Sequence, residues 1–356
     1  MVSLCESCYS HVSSDSYDLA IKPFLFWEER LYRTINDSLL RYLIVFKRFF
    51  IVIIALTFGA VQLKAQYDPS FSHYFDMETS FNPGAAGKQP KLNVTAAYAL
   101  DMVGFEHNPQ TAYASADMPF YAMKTYHGAG LVFMNDKLGL FTHQKFALQY
   151  ALKFKLLGGQ MSMGVQAGFL NESFDGSKID VEDSSDPAFT TSEVSGNALD
   201  LGFGLYYINK DWYAGLSAQH LTAPLVTLGE TNEFQIDRTY YLTGGYNIRL
   251  RNPFLTIKPS VFVRTDTKAL RADVTGRLVY HYDQKMMYGG LSYSPSNSVT
   301  LLVGGSFHGI VLGYSYEFYT SAINPGNGSH ELFVGYQHDI NLAKKGRNLH
   351  KSIRIL

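Results

Sequence analysis

Three groups of side chains have the types from which catalytic or metal sites are built. Between Asn171 and Asn197 lie Glu172, Asp175, Asp180, Glu182, Asp183, Asp186 and Glu193. Asp180-Val181-Glu182-Asp183 could offer oxygens to Ca²⁺, yet it lacks the spacing and the glycine of an EF-hand loop. A solvated surface loop is the expected reading. Cys5 and Cys8 have the C-x-x-C spacing of a redox or zinc pair, but they are the only two cysteines and precede an export signal, where no function is expected. His220, His281, His308 and His338 are scattered, and no G-x-S-x-G segment accompanies them. An outer-membrane hydrolase with a Ser–His pair thus has no motif behind it. We expect no catalytic residue, metal ligand or cofactor.

The elements that would position such groups are strands. In His308–Tyr319, Ile310, Leu312, Tyr314, Tyr316 and Phe318 share one parity, while Val311, Gly313, Ser315, Glu317 and Tyr319 share the other. Successive strand side chains point to opposite faces, so one face is apolar and aromatic and the other is small and polar. Leu332, Val334, Tyr336 and Ile340 repeat the pattern against Glu331, Gly335, Gln337 and Asp339. So do Phe146, Leu148, Tyr150, Leu152 and Phe154 against Lys145, Gln149 and Lys153. From Lys91 onward about fourteen such strands follow one another, an even number as a single-chain outer-membrane barrel requires.

The connections sort by parity. Gly158-Gly159, Asn209–Asp211, Arg251–Pro253, Asp283-Gln284 and a turn near Phe307-His308 are short and follow even strands. Asn171–Asn197 and Leu221–Asp237 are long and follow odd ones, as periplasmic turns and extracellular loops would. Met118–His127 is an exception, a long connection on the short side. A soluble sandwich has no reason to sort its loops, so the expected fold is all-β: a transmembrane, antiparallel, up-and-down barrel. The inward parity would bring Lys145, Lys153, Asp200, Lys258, Arg264, Arg271, Asp273, Arg277, Glu317 and Glu331 into the lumen.

The rest of the chain agrees with export. A net charge of -1 gives no reason to expect nucleic acid. One apolar run, Phe49–Val61, is preceded by Lys47-Arg48 and followed by Leu63-Lys64-Ala65-Gln66, the parts of a signal peptide cut after Ala65. An uncleaved anchor is the alternative. The long stretch before this run suggests an over-extended start, although no methionine lies between Met1 and Met77. The expected organisation is therefore 1–65 extension plus signal, 66–90 periplasmic lead-in, 91–342 barrel and 343–356 basic tail. The tail is either a contact for a periplasmic partner or disorder, and disorder is favoured.

Several segments resemble the PorP/SprF family, outer-membrane proteins of the type IX secretion and gliding machinery of Bacteroidetes. They are Gln66–Tyr74 with Asp68, Pro69, Phe71 and Tyr74, then Phe81-Asn82-Pro83-Gly84-Ala85-Ala86-Gly87. Val103-Gly104-Phe105 with Pro109-Gln110-Thr111, Asn135-Asp136-Lys137-Leu138-Gly139 and Gly328-Ser329-His330-Glu331 complete the set. The family often has a tryptophan just before the first-loop glycine, where this chain has Val103. The resemblance implies a non-enzymatic barrel in the outer-membrane bilayer that binds periplasmic ring lipoproteins or tethers a secreted cell-surface protein. It makes Asp68, Pro69, Phe71, Tyr74, Asn82, Pro83, Gly87, Gly104, Phe105, Pro109, Asp136, Gly139, His330 and Glu331 the candidate partner contacts. The competing class is a diffusion channel with a charged lumen.

Overall fold

The computed structural model describes residues 67–178, 192–229, 232–283, 285–295, 297–321 and 327–340. Cys5, Cys8, the leader, the acidic run Asp180–Asp183 and the basic tail lie outside these residues. Strands β1 (Lys91–Leu100), β2 (Gln110–Ala122), β3 (Thr125–Leu138), β4 (Phe141–Leu156), β5 (Gly159–Asp175), β6 (Glu193–Ile208) and β7 (Trp212–Gln219) form half of a wall. A hairpin of β8 (Leu225–Leu228) and β9 (Asn232–Gln235) follows, hydrogen-bonded as a separate small sheet. The wall resumes at β10 (Thr239–Tyr246), continued by the two-residue β11 (Ile248–Arg249). It runs on through β12 (Leu255–Thr265), β13 (Leu270–Tyr282), β14 (Lys285–Ser294), β15 (Ser298–Phe307), β16 (Ile310–Tyr319) and β17 (Ser329–Asp339).

Each wall strand pairs antiparallel with its neighbours, and β17 returns to β1 from Lys91↔Asp339 to Leu100↔His330. With β10 and β11 counted as one line, this is a closed barrel of fourteen strands. Closure lets the ladder satisfy the wall's backbone groups where no water can reach them.

The two faces are inverted relative to a water-soluble protein. On β4, Phe146, Leu148, Tyr150, Leu152, Phe154 and Leu156 face outward and are exposed, whereas His143, Lys145, Gln149 and Lys153 point inward and are buried. On β16, Ile310, Leu312, Tyr314 and Phe318 face out and Ser315 and Glu317 face in. Only a surround of lipid makes such a surface favourable. Leu148 lies half-way along its strand, so Leu148→Arg should cost about 2–4 kcal/mol of folding free energy in lipid vesicles. Gln144→Arg, beyond the apolar band, should cost about 0–1 kcal/mol, both being read by urea titration in the vesicles.

Three connections differ from the sequence expectation. Met118–His127 is no long connection, because β2 and β3 continue to a two-residue hairpin turn, Met123-Lys124. Both turn residues have positive φ, 47° and 64°, a geometry usually marked by Asn or Gly, and Pro119 lies within β2. The loop placed at Asn171–Asn197 is shorter, since β5 runs to Asp175 and β6 starts at Glu193. Strand ends that rise above the lipid need no apolar outer face, so their alternation fades. Leu221–Asp237 holds the β8–β9 hairpin, whose Val226 and Leu228 pack with Leu170 and Ile236. The tight turns also shift by one residue, to Leu157-Gly158 and His308-Gly309. One end of the barrel thus carries mostly two- or three-residue turns and the other most of the long connections.

Candidate functional site

Residues Tyr67 to Pro90 form no strand and thread the lumen. Their sequence suits that place: Phe71, Tyr74, Phe75, Met77 and Phe81 are buried. Tyr74 and Phe81 pack against inward Tyr241 and Phe262, and Phe75 packs against Tyr288. A fully buried aromatic side chain contributes about 1.5–3 kcal/mol, so this segment is a folded plug with its own apolar core. Its polar groups are bound by the wall. Tyr74 Oη meets Ser260 Oγ at 2.8 Å and donates to Thr275 Oγ1 at 3.1 Å. Gln149 donates to the Thr79 carbonyl at 2.7 Å, Gln219 to that of Ser80 at 3.0 Å, and Ser217 to that of Phe81 at 2.8 Å.

The Asn82-Pro83-Gly84 box sits in a cradle of wall glycines. Asn82 Oδ1 accepts from Gly84 N at 2.8 Å, capping the single 3-10 turn Pro83–Ala85, and Asn82 Nδ2 donates to the Leu205 carbonyl at 3.0 Å. A Cβ on Gly204 would lie 2.0 Å from Asn82 Oδ1, and one on Gly164 would lie 2.3 Å from Gly84 N. Gly164 and Gly204 are direct cross-strand partners, so β5 and β6 present one continuous dent. Gly128 on β3 does the same for Ala86, whose carbonyl oxygen would be 2.0 Å from an added Cβ. Gly87 (φ 62°) turns the chain, and its N–H donates to Asp117 Oδ2 at 2.7 Å.

Toward the end with the long connections, Asp68 anchors the start of the plug. Its carboxylate accepts from Tyr241 Oη and lies 3.1 Å from His220 Nε2, while Arg264 donates to its carbonyl oxygen. His220 Nδ1 lies 3.1 Å from Asp200 Oδ1. Burial alone would raise the Asp68 pKa, but His220 and Lys145 outweigh it and hold the carboxyl well below its usual range. Burial alone would lower the His220 pKa, and the two carboxylates overcome it, so the imidazole is pushed up to about 9. Nearby, Tyr67 and His143 both bond Glu172. A second anchor is Glu331, which accepts from the backbone N–H groups of Ser72 at 2.6 Å and His73 at 3.1 Å and meets His73 Nδ1 at 2.7 Å.

The fourteen sequence candidates therefore fall into two sets. Asp68, Pro69, Phe71, Tyr74, Asn82, Pro83, Gly87, Asp136 and Glu331 belong to the plug or the lumen wall around it; Asp136 is buried and accepts from Thr111 at 2.6 Å. Gly104 (φ 113°), Phe105, Pro109, Gly139 (φ 62°) and His330 lie at or near the end with the long connections. His330 follows the opposite parity from Glu331 and meets Tyr314 Oη at 2.7 Å, so these neighbours serve different faces. The first loop is pinned to the start of β17, where Val103 N donates to the Gly328 carbonyl at 2.8 Å and Met102 N to Ser329 Oγ at 2.9 Å. Asp200, His220, Tyr241, Arg264 and the cradle glycines were not singled out as contacts from the sequence. An inward parity shared by Gly164 and Gly204 was the one available signal.

The family model described as type IX secretion system membrane protein PorP/SprF matches residues 63–336. The chain belongs to this family. The match takes in the plug and nearly all of the wall, and with the closed barrel it supports an outer-membrane location. No curated protein matches this PorP/SprF chain. Among solved structures, the Pseudomonas putida toluene transporter TodX is similar at 9% identity and a TM-score of 0.44, over 78% of this chain and 95% of that one. A Pseudomonas aeruginosa FadL homologue is similar at 11% identity and a TM-score of 0.41, over 70% and 89%. Haemophilus ducreyi BamA lacking POTRA domains 1–3 is similar at 9% identity and a TM-score of 0.39, over 70% of each chain.

Proposed function

We propose that this PorP/SprF protein is a closed, non-enzymatic scaffold of the type IX secretion machinery that meets periplasmic ring components through its rim of short turns. The observation that carries the scaffold reading is the filled lumen. The plug's bonds reach β2, β4, β5, β6, β7, β10, β12, β13, β14 and β17, and two of the cavities beside it measure about 20 and 80 Å³, room for a few waters. A diffusion channel needs a continuous aqueous path, which this arrangement does not favour. The ring reading draws on charge. The exposed cations Lys124, Lys155, Lys210, Arg249, Arg251 and Lys285 outnumber Asp211, Asp283 and Asp339 on the short-turn rim, the end that faces the periplasm in such barrels. A basic rim steers and orients an acidic protein surface.

The test is Lys124→Glu/Lys155→Glu/Lys210→Glu in the full chain, followed by mild crosslinking and pull-down. At roughly half a kcal/mol per exposed charge, recovery of ring lipoproteins should fall about tenfold while the barrel stays heat-modifiable on gels. Unchanged recovery would remove the rim from the interface.

A further inference from the structure

We infer that the upper edge of β6, from Glu193 to Asn197, takes up an extended segment of another protein as an added strand. β6 pairs with β5 along its length, from Asp175↔Glu193 to Gln160↔Ile208, but with β7 only from Phe203 to Ile208. Above that, two bonds close the seam: Leu221 N donates to the Leu201 carbonyl at 2.9 Å, and Thr222 Oγ1 donates to that of Leu199 at 3.2 Å. Backbone groups alternate sides along a strand. Since the carbonyls of Leu199 and Leu201 point away from β5, so do the N–H and C=O groups of Glu193, Ser195 and Asn197. Among the described residues nothing bonds these three backbone pairs. Among the described residues this stretch of edge is open.

The edge stands in water rather than lipid. Glu193, Ser195 and Asn197 are exposed and polar, and the apolar outer face of β6 begins below them at Leu199. β8 does not cover it, because it crosses on the lumen side, where a Cβ on Gly196 would lie 2.4 Å from the Thr227 carbonyl oxygen. The edge therefore has a packed inner backing and a hydrogen-bonding side that no described residue occupies, the arrangement used in strand addition.

A second copy of this chain does not fit the edge. Strands of such barrels tilt by roughly 40°. Two copies standing the same way up in one membrane would bring their β6 edges together crossed at about 80°, too steep to pair. The occupant is a different polypeptide. Glu193 lies directly across from Asp175, so a Lys or Arg opposite Glu193 is favoured. Half-buried Val194 and Ala198 favour small apolar residues on the inner side. This site lies at the opposite end from the basic rim and is independent of the ring contact.

The test places a photo-crosslinking residue at Asn197 of the full-length protein in cells, combined with Ser195→Pro or Ser195→Ala. Proline removes an N–H that faces the open side and leaves the β5 ladder intact, as edge strands tolerate. We expect adducts whose partner peptide comes from another protein, reduced at least fivefold by Ser195→Pro and kept by Ser195→Ala. In the purified protein the Ser195 and Asn197 amides should exchange hydrogen rapidly while those of Gly196 and Ala198 exchange slowly. Adducts only to lipid or to this chain's own residues 179–191, adducts indifferent to the proline, or Ser195 and Asn197 amides already protected would each overturn the inference.

Discussion

Deletion of residues 68–87 should produce a barrel that conducts steadily in planar bilayers, where the intact protein is expected to pass no steady current. The wall does not depend on the plug for its ladder, since each of the fourteen seams is a strand-to-strand pairing. What the plug leaves behind is a wall bearing Lys145, Lys153, Asp117, Asp200, Arg277 and Glu331, groups that water solvates readily. The aromatic patch at Tyr241, Phe262 and Tyr288 loses its partners, which lowers stability without opening a seam. A milder form keeps every plug residue. Gly164→Phe with Gly204→Phe would drive two rings into space held by the backbone of Pro83 and Gly84 and by the Asn82 side chain. Overpacking that a side chain can relieve costs about 1–3 kcal/mol, but here the obstacles are mostly main-chain atoms, so the segment itself must move. Hydrogen exchange at residues 79–87 should quicken and the current should flicker, because Asp68 and Glu331 still hold the upper part. A deletion variant that stays heat-modifiable and electrically silent would mean that the wall, not the plug, closes the lumen.

The wall was legible because lipid enforces a strict rule at its mid-height. Ile310, Leu312 and Phe318 had to be apolar, and Lys145, Lys153 and Glu317 could be tolerated only on the other parity. The rule weakens where lipid ends. Asn171–Asp175 and Glu193–Asn197 have a polar outer face, so their strands read as loop although they pair in full register. The Met123-Lys124 turn carries no Gly or Asn, so Met118–His127 read as one long connection. The plug was legible in composition but not in path: its bonds are to side chains scattered over ten wall strands, and no local period records them. Asn82 stood out as a turn residue, yet its seat against β6 and β7 depends on glycines far ahead in the chain, Gly204 and Gly215. His220 was noticed only as one of several scattered histidines. Its meaning comes from Asp68 and Asp200, which the fold brings to its two nitrogens.

That histidine sets the second large effect. Asp68→Ala should free the beginning of the plug, because it strands a buried imidazolium, the Tyr241 hydroxyl and the charges they balance. Removing one partner of a buried pair costs about 3–5 kcal/mol, so amide exchange across residues 69–75 should rise on the order of a hundred- to a thousandfold at neutral pH. Asp68→Asn keeps a bond to Tyr241 and should fall between the wild type and the alanine variant. The same anchor has a pH window whose sign follows from the two shifts. His220 is raised, so its contribution is complete below the unfolded value near 6.5 and is lost as pH climbs through about 9. Asp68 is lowered, so its contribution is present above its unfolded value near 4 and is lost only in strong acid. The plug's beginning should thus be tightest from about pH 4 to pH 6.5 and loosen progressively from there to about pH 9. His220→Gln should abolish the alkaline limb of that profile while leaving the barrel heat-modifiable. If the protection of the residue 69–75 amides, taken relative to their intrinsic exchange rates, stays flat from pH 7 to pH 10 in the wild type, the anchor does not hold as a charged pair.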